Sequence, residues 1–165
     1  MTTSSEMVSL IASFEGLRLK AYLCQAGVPT IGYGSTYLHG KKVTLGMTCT
    51  KEEALEQFTQ DLAKFEKDVT ASIGLTRLTQ QQFDAVVSFC YNCGTGAFRR
   101  STLKRKIVAN PSNFEGIKRE FARWNKAGGV VSKGLSRRRA TEAAWYIYGP
   151  EYAKSVRDPL KWLYG

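Results

Sequence analysis

The sequence predicts an α+β protein, mainly α-helical, in which a small antiparallel β lobe is joined by a long helix to a larger helical lobe. Apolar residues have helical spacing over the first fifteen positions, short extended runs follow to about residue 45, and helical spacing returns after residue 50. Because 165 residues suffice for a sizeable hydrophobic core, we expect residues 1–165 to form a single domain with two lobes.

Helical spacing of apolar residues predicts a first helix that ends at about Glu15. Ser4 or Ser5 can cap its amino end, and Gly16 is suited to end it. The apolar positions that define the stripe are Met7, Val8, Leu10, Ile11 and Phe14.

Short extended runs predict a small antiparallel sheet in a β lobe that spans about residues 15–49. Turn-forming segments at residues 27–29 and 39–40 separate the runs. The three runs are Leu19 to Leu23, Thr30 to Tyr33, and Lys42 to Leu45.

Two capping-box signatures mark the return to helices. Thr50 and Glu53 begin the long connecting helix, and Thr79 and Gln82 begin the next one, which we expect to stop at Gly94-Thr95-Gly96. Further helices are predicted over residues 101–109, 113–125 and 136–148. The first helix and residues 70–148 make up the helical lobe, and residues 149–165 form an appended tail whose aromatic side chains we expect to pack back onto the domain.

The chain is strongly basic, with 24 Lys and Arg against 14 Asp and Glu and a formal net charge of +10. Its partner is therefore expected to be anionic, and nucleic acid, acidic lipid and a carboxylate-bearing wall polymer all fit. The cluster Arg137-Arg138-Arg139 is interpreted as a solvated face, with a partly structural role through pairing of Arg138 with Glu142.

No apolar run approaches the roughly 20 residues of a membrane span, and Met1 to Glu6 carries no basic segment typical of a secretory signal. We expect no stable membrane insertion and a protein that stays in the cytoplasm of the cell that makes it. The four cysteines are then expected to be reduced thiols.

Three residues early in the chain have side chains suited to glycoside cleavage. Glu15 ends an apolar helix, where partial shielding from water would suit a general acid. A strand pair that begins just after Glu15 would bring the Cys24 turn and Thr30 back toward the helix end. Gly32 and Gly34 would leave that region open to close approach by a bulky ligand.

The spacing of Glu15, Cys24 and Thr30, followed by Ile31-Gly32-Tyr33-Gly34, resembles the catalytic segment of phage-type lysozymes, the endolysins of double-stranded DNA phages. The resemblance runs from about Met7 to Tyr148. Further blocks that resemble the family are Leu78 to Ala85, Asn92 to Phe98, Ser101 to Leu103, Trp124 to Gly129 and Gly134 to Arg139.

The resemblance implies a lysozyme-like fold and a glycoside hydrolase, a muramidase that cleaves the β-1,4 bond between N-acetylmuramic acid and N-acetylglucosamine. It places Glu15 as the general acid and Thr30 as a residue that helps hold the attacking water or the sugar. Cys24 stands where the commonest members have aspartate. We hypothesise that Cys24 acts as a thiolate base or nucleophile, helped by Arg18 or Lys20.

Four further residues are candidates for substrate binding: Tyr33, Trp124, Asn125 and Arg137. Trp124 fits a sugar-binding surface and a core anchor equally well. The resemblance implies no metal and no cofactor, a monomer, peptidoglycan glycan strands as the partner, and a holin for passage from the host cytoplasm to the wall.

Two other functions stay open at this point. A lytic transglycosylase would need Glu15 alone, and a basic nucleic-acid-binding domain would fit the charge but lacks a docking motif. After Tyr33, where the family often has Gly-His, this chain has Gly34-Ser35, so Ser35 replaces the histidine, and His39 is expected to be a plain loop residue. Cys90 and Cys93 have C-x-x-C spacing but end a helix, so we expect neither a redox nor a zinc site, and buried packing for Cys90.

Overall fold

The computed structural model describes residues 1–165, which form nine helices and six short strands. The chain divides into two compact units. The small unit is Val8–Lys64, and the large unit consists of Met1–Met7 together with Phe65–Gly165. This mainly helical structure with small antiparallel strand pairs confirms the predicted fold class. That the two units make one domain stays a prediction.

Helix α1 (Ser5–Glu15) begins as predicted, because the Ser4 hydroxyl accepts a hydrogen bond from the amide of Met7 at 3.2 Å. It ends at Gly16, whose amide still reaches the carbonyl of Ala12 at 2.9 Å and whose φ is +70°. Glycine is the residue that adopts this left-handed conformation without steric cost. The helix end therefore fixes where Glu15 emerges.

The strands of the small unit form two separate antiparallel pairs. Strand β1 (Arg18–Leu23) pairs with β2 (Pro29–Gly32), and β3 (Tyr37–Leu38) pairs with β4 (Lys41–Lys42). The predicted third run, residues 42–45, is wrong in its bounds. His39 and Gly40 both have positive φ, 52° and 75°, so the chain reverses there and pairs residues just before and just after that turn.

Helix α2 (Lys51–Ile73) is the predicted long helix, and it opens with the predicted capping box. The amide of Thr50 donates to Glu53 Oε1 at 2.9 Å, and the amide of Glu53 donates to Thr50 Oγ1 at 3.1 Å. Both bonds satisfy amides that an unprotected helix end would leave without partners.

The large unit is built around helices α3 (Gln80–Cys93) and α7 (Lys133–Tyr148). The Thr79–Gln82 capping box predicted for α3 is present. The remaining elements are α4 (Thr95–Arg100), α5 (Thr102–Ala109), α6 (Phe114–Ala122), β5 (Lys126–Ala127), β6 (Val130–Val131), α8 (Pro150–Ser155) and α9 (Pro159–Tyr164). The first residues are tied to α3, since the amide of Ser4 donates to Asp84 Oδ1 at 3.0 Å.

The stop predicted for α3 at residues 94–96 is confirmed, because the helix ends at Cys93 with Gly94 as its cap. Helix α4, which was not predicted, begins directly after Gly94. Two other predicted boundaries in the large unit are wrong. The helix predicted over residues 113–125 ends at Ala122, and β5 and β6 then form a hairpin around Gly128 and Gly129. Helix α7 starts at Lys133 with Ser132 as its cap, because the Ser132 hydroxyl accepts from the amide of Leu135 at 3.1 Å.

The arginine cluster is a solvated face only at Arg137, which corrects the interpretation of all three residues. Arg139 and Glu142 have no exposed surface, and Arg138 is 5% exposed. The predicted pairing of Arg138 with Glu142 is confirmed at 3.4 Å, and Arg139 Nη2 donates to Glu142 Oε2 at 3.1 Å. Two of the three consecutive arginines of helix α7, Arg138 and Arg139, are thus buried, and both pair with the carboxylate of Glu142.

The C-terminal tail packs back onto the large unit, as predicted. The phenol of Tyr164 donates to the carbonyl of Ala122 at 2.8 Å, and the ammonium of Lys118 lies 4.2 Å from the centre of the Trp162 ring. None of the nine helices combines the length and apolarity that crossing a membrane would need.

Candidate active site

The predicted site residues belong to different units. Glu15, Cys24, Thr30 and Tyr33 are part of the small unit, whereas the other three candidates are part of the large unit. Those three are Trp124, Asn125 and Arg137. Each group is described within its own unit.

Glu15 is the last residue of α1, half-buried, and its carboxylate lies against the backbone of Gly34. A Cβ built on Gly34 would stand 3.0 Å from Glu15 Oε2 and 3.6 Å from Glu15 Cδ. Gly34 also has a φ of +86°. The space at this glycine, predicted to admit a bulky ligand, is thus occupied by the carboxylate of the proposed acid.

Cys24 and Thr30 are held at the two ends of the β1–β2 hairpin loop. The amide of Cys24 donates to the carbonyl of Val28 at 3.0 Å, and the amide of Gly27 donates to the carbonyl of Cys24 at 2.8 Å. Gly27 has a φ of +74°, the left-handed conformation that such a tight loop requires. The register then sets Thr30 opposite Tyr22.

The Cys24 thiol is partly exposed, and hydrogen bonds lower its pKa. The backbone of Val28 makes the largest contribution, the backbone of Ala26 follows, and the Thr30 hydroxyl adds to them, because all three stabilise a thiolate. Arg18 and Lys20, the cations named in the hypothesis above, are not the cause. The backbone of the loop, and not a basic side chain, therefore stabilises the Cys24 thiolate.

Arg18 has a different partner. Its guanidinium carbon lies 4.3 Å from the centre of the Tyr22 ring, a cation–π contact along strand β1. The pKa of the Tyr22 phenol is raised, mainly by burial, and the charges of Glu15 and Cys24 raise it further, whereas Arg18 lowers it. Tyr22, which no prediction singled out, lies opposite Thr30 in the β1–β2 register.

Thr30 is only 4% exposed, and its hydroxyl donates to the carbonyl of Val28 at 2.9 Å. A hydroxyl has one proton, so Thr30 can serve either this carbonyl or the Cys24 sulfur at any moment. Thr30 therefore bonds the backbone of Val28, a residue that itself stabilises the Cys24 thiolate.

The residue that departs from the family pattern, Ser35, joins the strands to helix α2. It is 2% exposed, and its hydroxyl donates to Asp61 Oδ2 at 2.6 Å. Asp61 Oδ1 accepts from the side-chain amide of Gln57 at 2.9 Å. His39 lies in the β3–β4 turn and contacts the carboxylate of Glu53, consistent with a loop residue.

Tyr33 contributes its ring to the core of the small unit. It is 8% exposed, and its ring centre lies 5.2 Å from that of Phe58. The packing of these two rings supports the end of β2.

Trp124 is half-buried and packs edge-on against Phe89, with ring centres 5.2 Å apart. Its carbonyl accepts from Arg139 Nη1 at 3.3 Å. The side-chain amide of Asn125 donates to the Ser136 hydroxyl at 3.2 Å. These contacts favour the anchoring interpretation of Trp124 and tie Asn125 to helix α7.

The two cysteines with C-x-x-C spacing are free thiols. Cys90 is fully buried, as predicted, and burial strongly raises the pKa of its thiol. Cys93 is half-buried and accepts a hydrogen bond from Arg139 Nη1 at 2.7 Å. Burial also raises the pKa of Cys93.

Comparison with known proteins gives a consistent result. A family model described as phage lysozyme matches residues 12–142. The endolysin of Bacillus phage PZA is 41% identical over 154 residues, which cover 90% of this chain but 56% of that endolysin, so the chain spans little more than half of that relative. The endolysin of Salmonella phage P22 is 38% identical over 144 residues, or 87% of this chain and 97% of that protein.

Among solved structures, an endolysin from Escherichia coli O157:H7 phage FAHEc1 aligns with a TM-score of 0.81. Its sequence is 38% identical, and the alignment covers 91% of this chain and 96% of that chain.

Proposed function

Because this chain belongs to the phage lysozyme family, we propose that it is an endolysin, a muramidase that hydrolyses the β-1,4 bond between N-acetylmuramic acid and N-acetylglucosamine in peptidoglycan. The observation that carries the proposal lies in the small unit. There, the carboxylate of Glu15 lies against Gly34 in the turn after β2, and Cys24 and Thr30 stand at the two ends of the β1–β2 hairpin loop.

Glu15 is proposed as the general acid that protonates the departing glycosidic oxygen. Its backbone position is fixed by the glycine that ends α1, and its carboxylate is set against Gly34. A fixed acid needs no reorganisation when the bond breaks, which is how positioning accelerates proton transfer.

Cys24 is proposed to supply the negative charge on the other side of the reaction. As a thiolate it can remove a proton from the attacking water, or it can attack the anomeric carbon and form a glycosyl intermediate that water then hydrolyses. The amides of Ala26 and Val28 and the Thr30 hydroxyl favour the thiolate, so the loop substitutes for the carboxylate that is more usual at this position. Thr30 is proposed to orient that sulfur, and through it the water.

The other parts of the proposal concern access to the substrate. The net charge of +10 would hold the protein on an anionic wall. Tyr33, Trp124, Asn125 and Arg137 are kept as candidate substrate-binding residues, of which Arg137 has the exposed side chain. Release through a holin stays a prediction from the family resemblance, and no cofactor is needed for transfer of a glycosyl group to water.

Mass analysis of muropeptides released from purified peptidoglycan tests the bond and the reaction together. The wild type should release fragments with reducing N-acetylmuramic acid ends, and Glu15→Gln should release almost none. Fragments with anhydro-muramic ends would instead identify a lytic transglycosylase. Unchanged release by Glu15→Gln would remove Glu15 from the proposal.

A further inference from the structure

The short helices α8 and α9 form a shallow pocket of about 350 Å³ on the surface of the large unit, wide open to solvent. Pockets of roughly 300–1,000 Å³ that combine apolar walls with a few polar groups are the usual form of small-ligand sites. The residues that line this one are Tyr152, Ser155, Val156, Asp158, Lys161 and Trp162. None of them belongs to the proposed catalytic group.

Two aromatic rings of the pocket are fixed relative to each other. Trp162 Nε1 donates to the phenol oxygen of Tyr152 at 3.0 Å, and the ring centres are 6.3 Å apart at 62°. The ammonium of Lys118, which does not line the pocket, covers a face of the Trp162 ring at 4.2 Å. The rings are held in place without a ligand, while Tyr152 remains 38% exposed.

Ser155 and Asp158, two polar residues of the pocket, each already make one hydrogen bond within the protein. The Ser155 hydroxyl donates to the carbonyl of Tyr152, which leaves its oxygen free to accept, and Asp158 uses Oδ1 to accept from the amide of Lys161 at 3.0 Å. The second Asp158 oxygen and the Lys161 ammonium remain available to a ligand. An aromatic wall with one acceptor and one donor group at its edge matches a pyranose, which has apolar C–H faces and hydroxyls around its rim.

The neighbouring surface carries three basic and two acidic side chains. A second pocket of about 530 Å³ there is lined by Lys118, Arg119 and Arg123 together with Glu115, Glu120, Ala122 and Leu163. Arg123 pairs with Glu120 at 2.9 Å, whereas Arg119 forms no ion pair. A ligand that enters the aromatic pocket and carries carboxylates would find cations next to it.

We propose that the pocket between α8 and α9 binds one N-acetylated sugar of a peptidoglycan strand, as a holding site separate from the proposed catalytic residues. The identity of the ligand rests on the proposed function. The sugar stacks on the Tyr152–Trp162 wall, its hydroxyls and acetamide bond Asp158, Ser155 and Lys161, and the carboxylates of attached peptides face Lys118 and Arg119.

The test is a titration of the ¹⁵N-labelled full chain carrying Glu15→Gln with a trimer of N-acetylglucosamine. The signal to follow is the indole N–H of Trp162, assigned by its loss in Trp162→Phe, because it reports on this pocket even if the probe also binds elsewhere. We expect a saturable shift of that signal. Tyr152→Ala should weaken the dissociation constant measured from it about tenfold, the size of a lost aromatic contact.

Ser155→Phe provides a second variant that fills the pocket and keeps the ring pair, and it should weaken binding by at least as much. Tyr37→Ala removes an exposed tyrosine of the small unit and should leave the dissociation constant unchanged. The proposal is overturned if the Trp162 signal does not move, or if both pocket variants bind the trimer with the same dissociation constant as the protein with the unaltered pocket. Muropeptide release is measured independently, so a protein that binds here without cleaving would reject the proposed function and not this site.

Discussion

The α carbon of Gly34 faces the carboxylate of Glu15 so closely that a single added carbon would lie 3.0 Å from its Oε2 atom. The turn after β2 and the end of α1 thus meet at the group that the proposed reaction needs most. A glycine with a φ of +86° at this point leaves the carboxylate the room it occupies.

Gly34→Ala should therefore lower activity as well as stability. The positive φ makes the substitution cost roughly 1–3 kcal/mol of folding free energy. The added carbon also displaces the Glu15 carboxylate, which should lower kcat by roughly 10-fold, since a misplacement of about 1 Å costs about 100-fold. Gly40→Ala is the matched control, since its φ is +75° and nothing lies within 4 Å of its added carbon. Equal activity of the two variants would show that the Glu15 contact has no catalytic consequence.

Activity should depend on the ionisation of Cys24. The pKa of this thiol is lowered, so the thiolate forms at a lower pH than for an ordinary cysteine, and kcat/KM should rise with pH through that lowered pKa. Cys24→Asp should retain most activity and move the rising limb toward pH 4, the usual range of a carboxylate. Cys24→Ser should abolish lysis. The profiles should be recorded at constant ionic strength, and full activity of the serine variant would reject a thiolate role.

The four thiols should differ in reactivity. Iodoacetamide at neutral pH should label Cys24 first, because only the thiolate reacts and Cys24 is partly exposed with a lowered pKa. Cys90, buried with a raised pKa, should be labelled only after unfolding. Peptide mass spectrometry over time measures both, and labelling of Cys90 before Cys24 in the folded protein would contradict the environments described here.

Ser35→Ala should destabilise the protein by about 1.5–3 kcal/mol, because it removes a hydrogen bond to a charged group in a buried place. Ser35 is 2% exposed and donates to Asp61. Ser13→Ala is the control, since its hydroxyl bonds a helix carbonyl at an exposed position. Urea unfolding of both variants gives the comparison, and losses of equal size would mean that the Ser35–Asp61 bond contributes little.

Arg139→Met should destabilise the protein by about 3–5 kcal/mol, because it leaves the buried carboxylate of Glu142 with Arg138 as its one remaining cation. Arg137→Met, two positions earlier on the same helix and exposed, should change the free energy of unfolding by less than about 0.5 kcal/mol. Thermal and denaturant unfolding measure the difference, and a small effect at Arg139 would show that packing compensates for the lost ion pair.

The elements that could be predicted from the sequence are those with local signals. Helices α1, α2 and α3 begin at serine and threonine caps and carry apolar stripes over several turns, so their starts were predicted to within a few residues. Helices α4, α8 and α9 are six residues long, too short for a periodic stripe, and they depend on packing that the sequence does not display.

The same limit applies to the candidate site. The turn between Cys24 and Thr30 could be predicted from the sequence because a hairpin pairs residues that are close along the chain. The spacing of Glu15, Cys24 and Thr30 could likewise be recognised directly. The contact of Glu15 with Gly34 joins a helix end to a later turn, and the loop amides that act on Cys24 depend on loop geometry. Arg138 and Arg139 resembled a solvated cluster because the groups that bury them, such as Ser88, are distant in sequence.

The bond from Ser4 to Asp84 spans 80 positions of the chain. During synthesis, Ser4 therefore has no bond to Asp84 until α3 has been made. The hairpins of the small unit pair residues that are close in sequence, so they can form much earlier. Contacts of such wide separation form late because closing a long loop costs chain entropy. The very first residues made are thus expected to dock only after the hairpins of the small unit have closed.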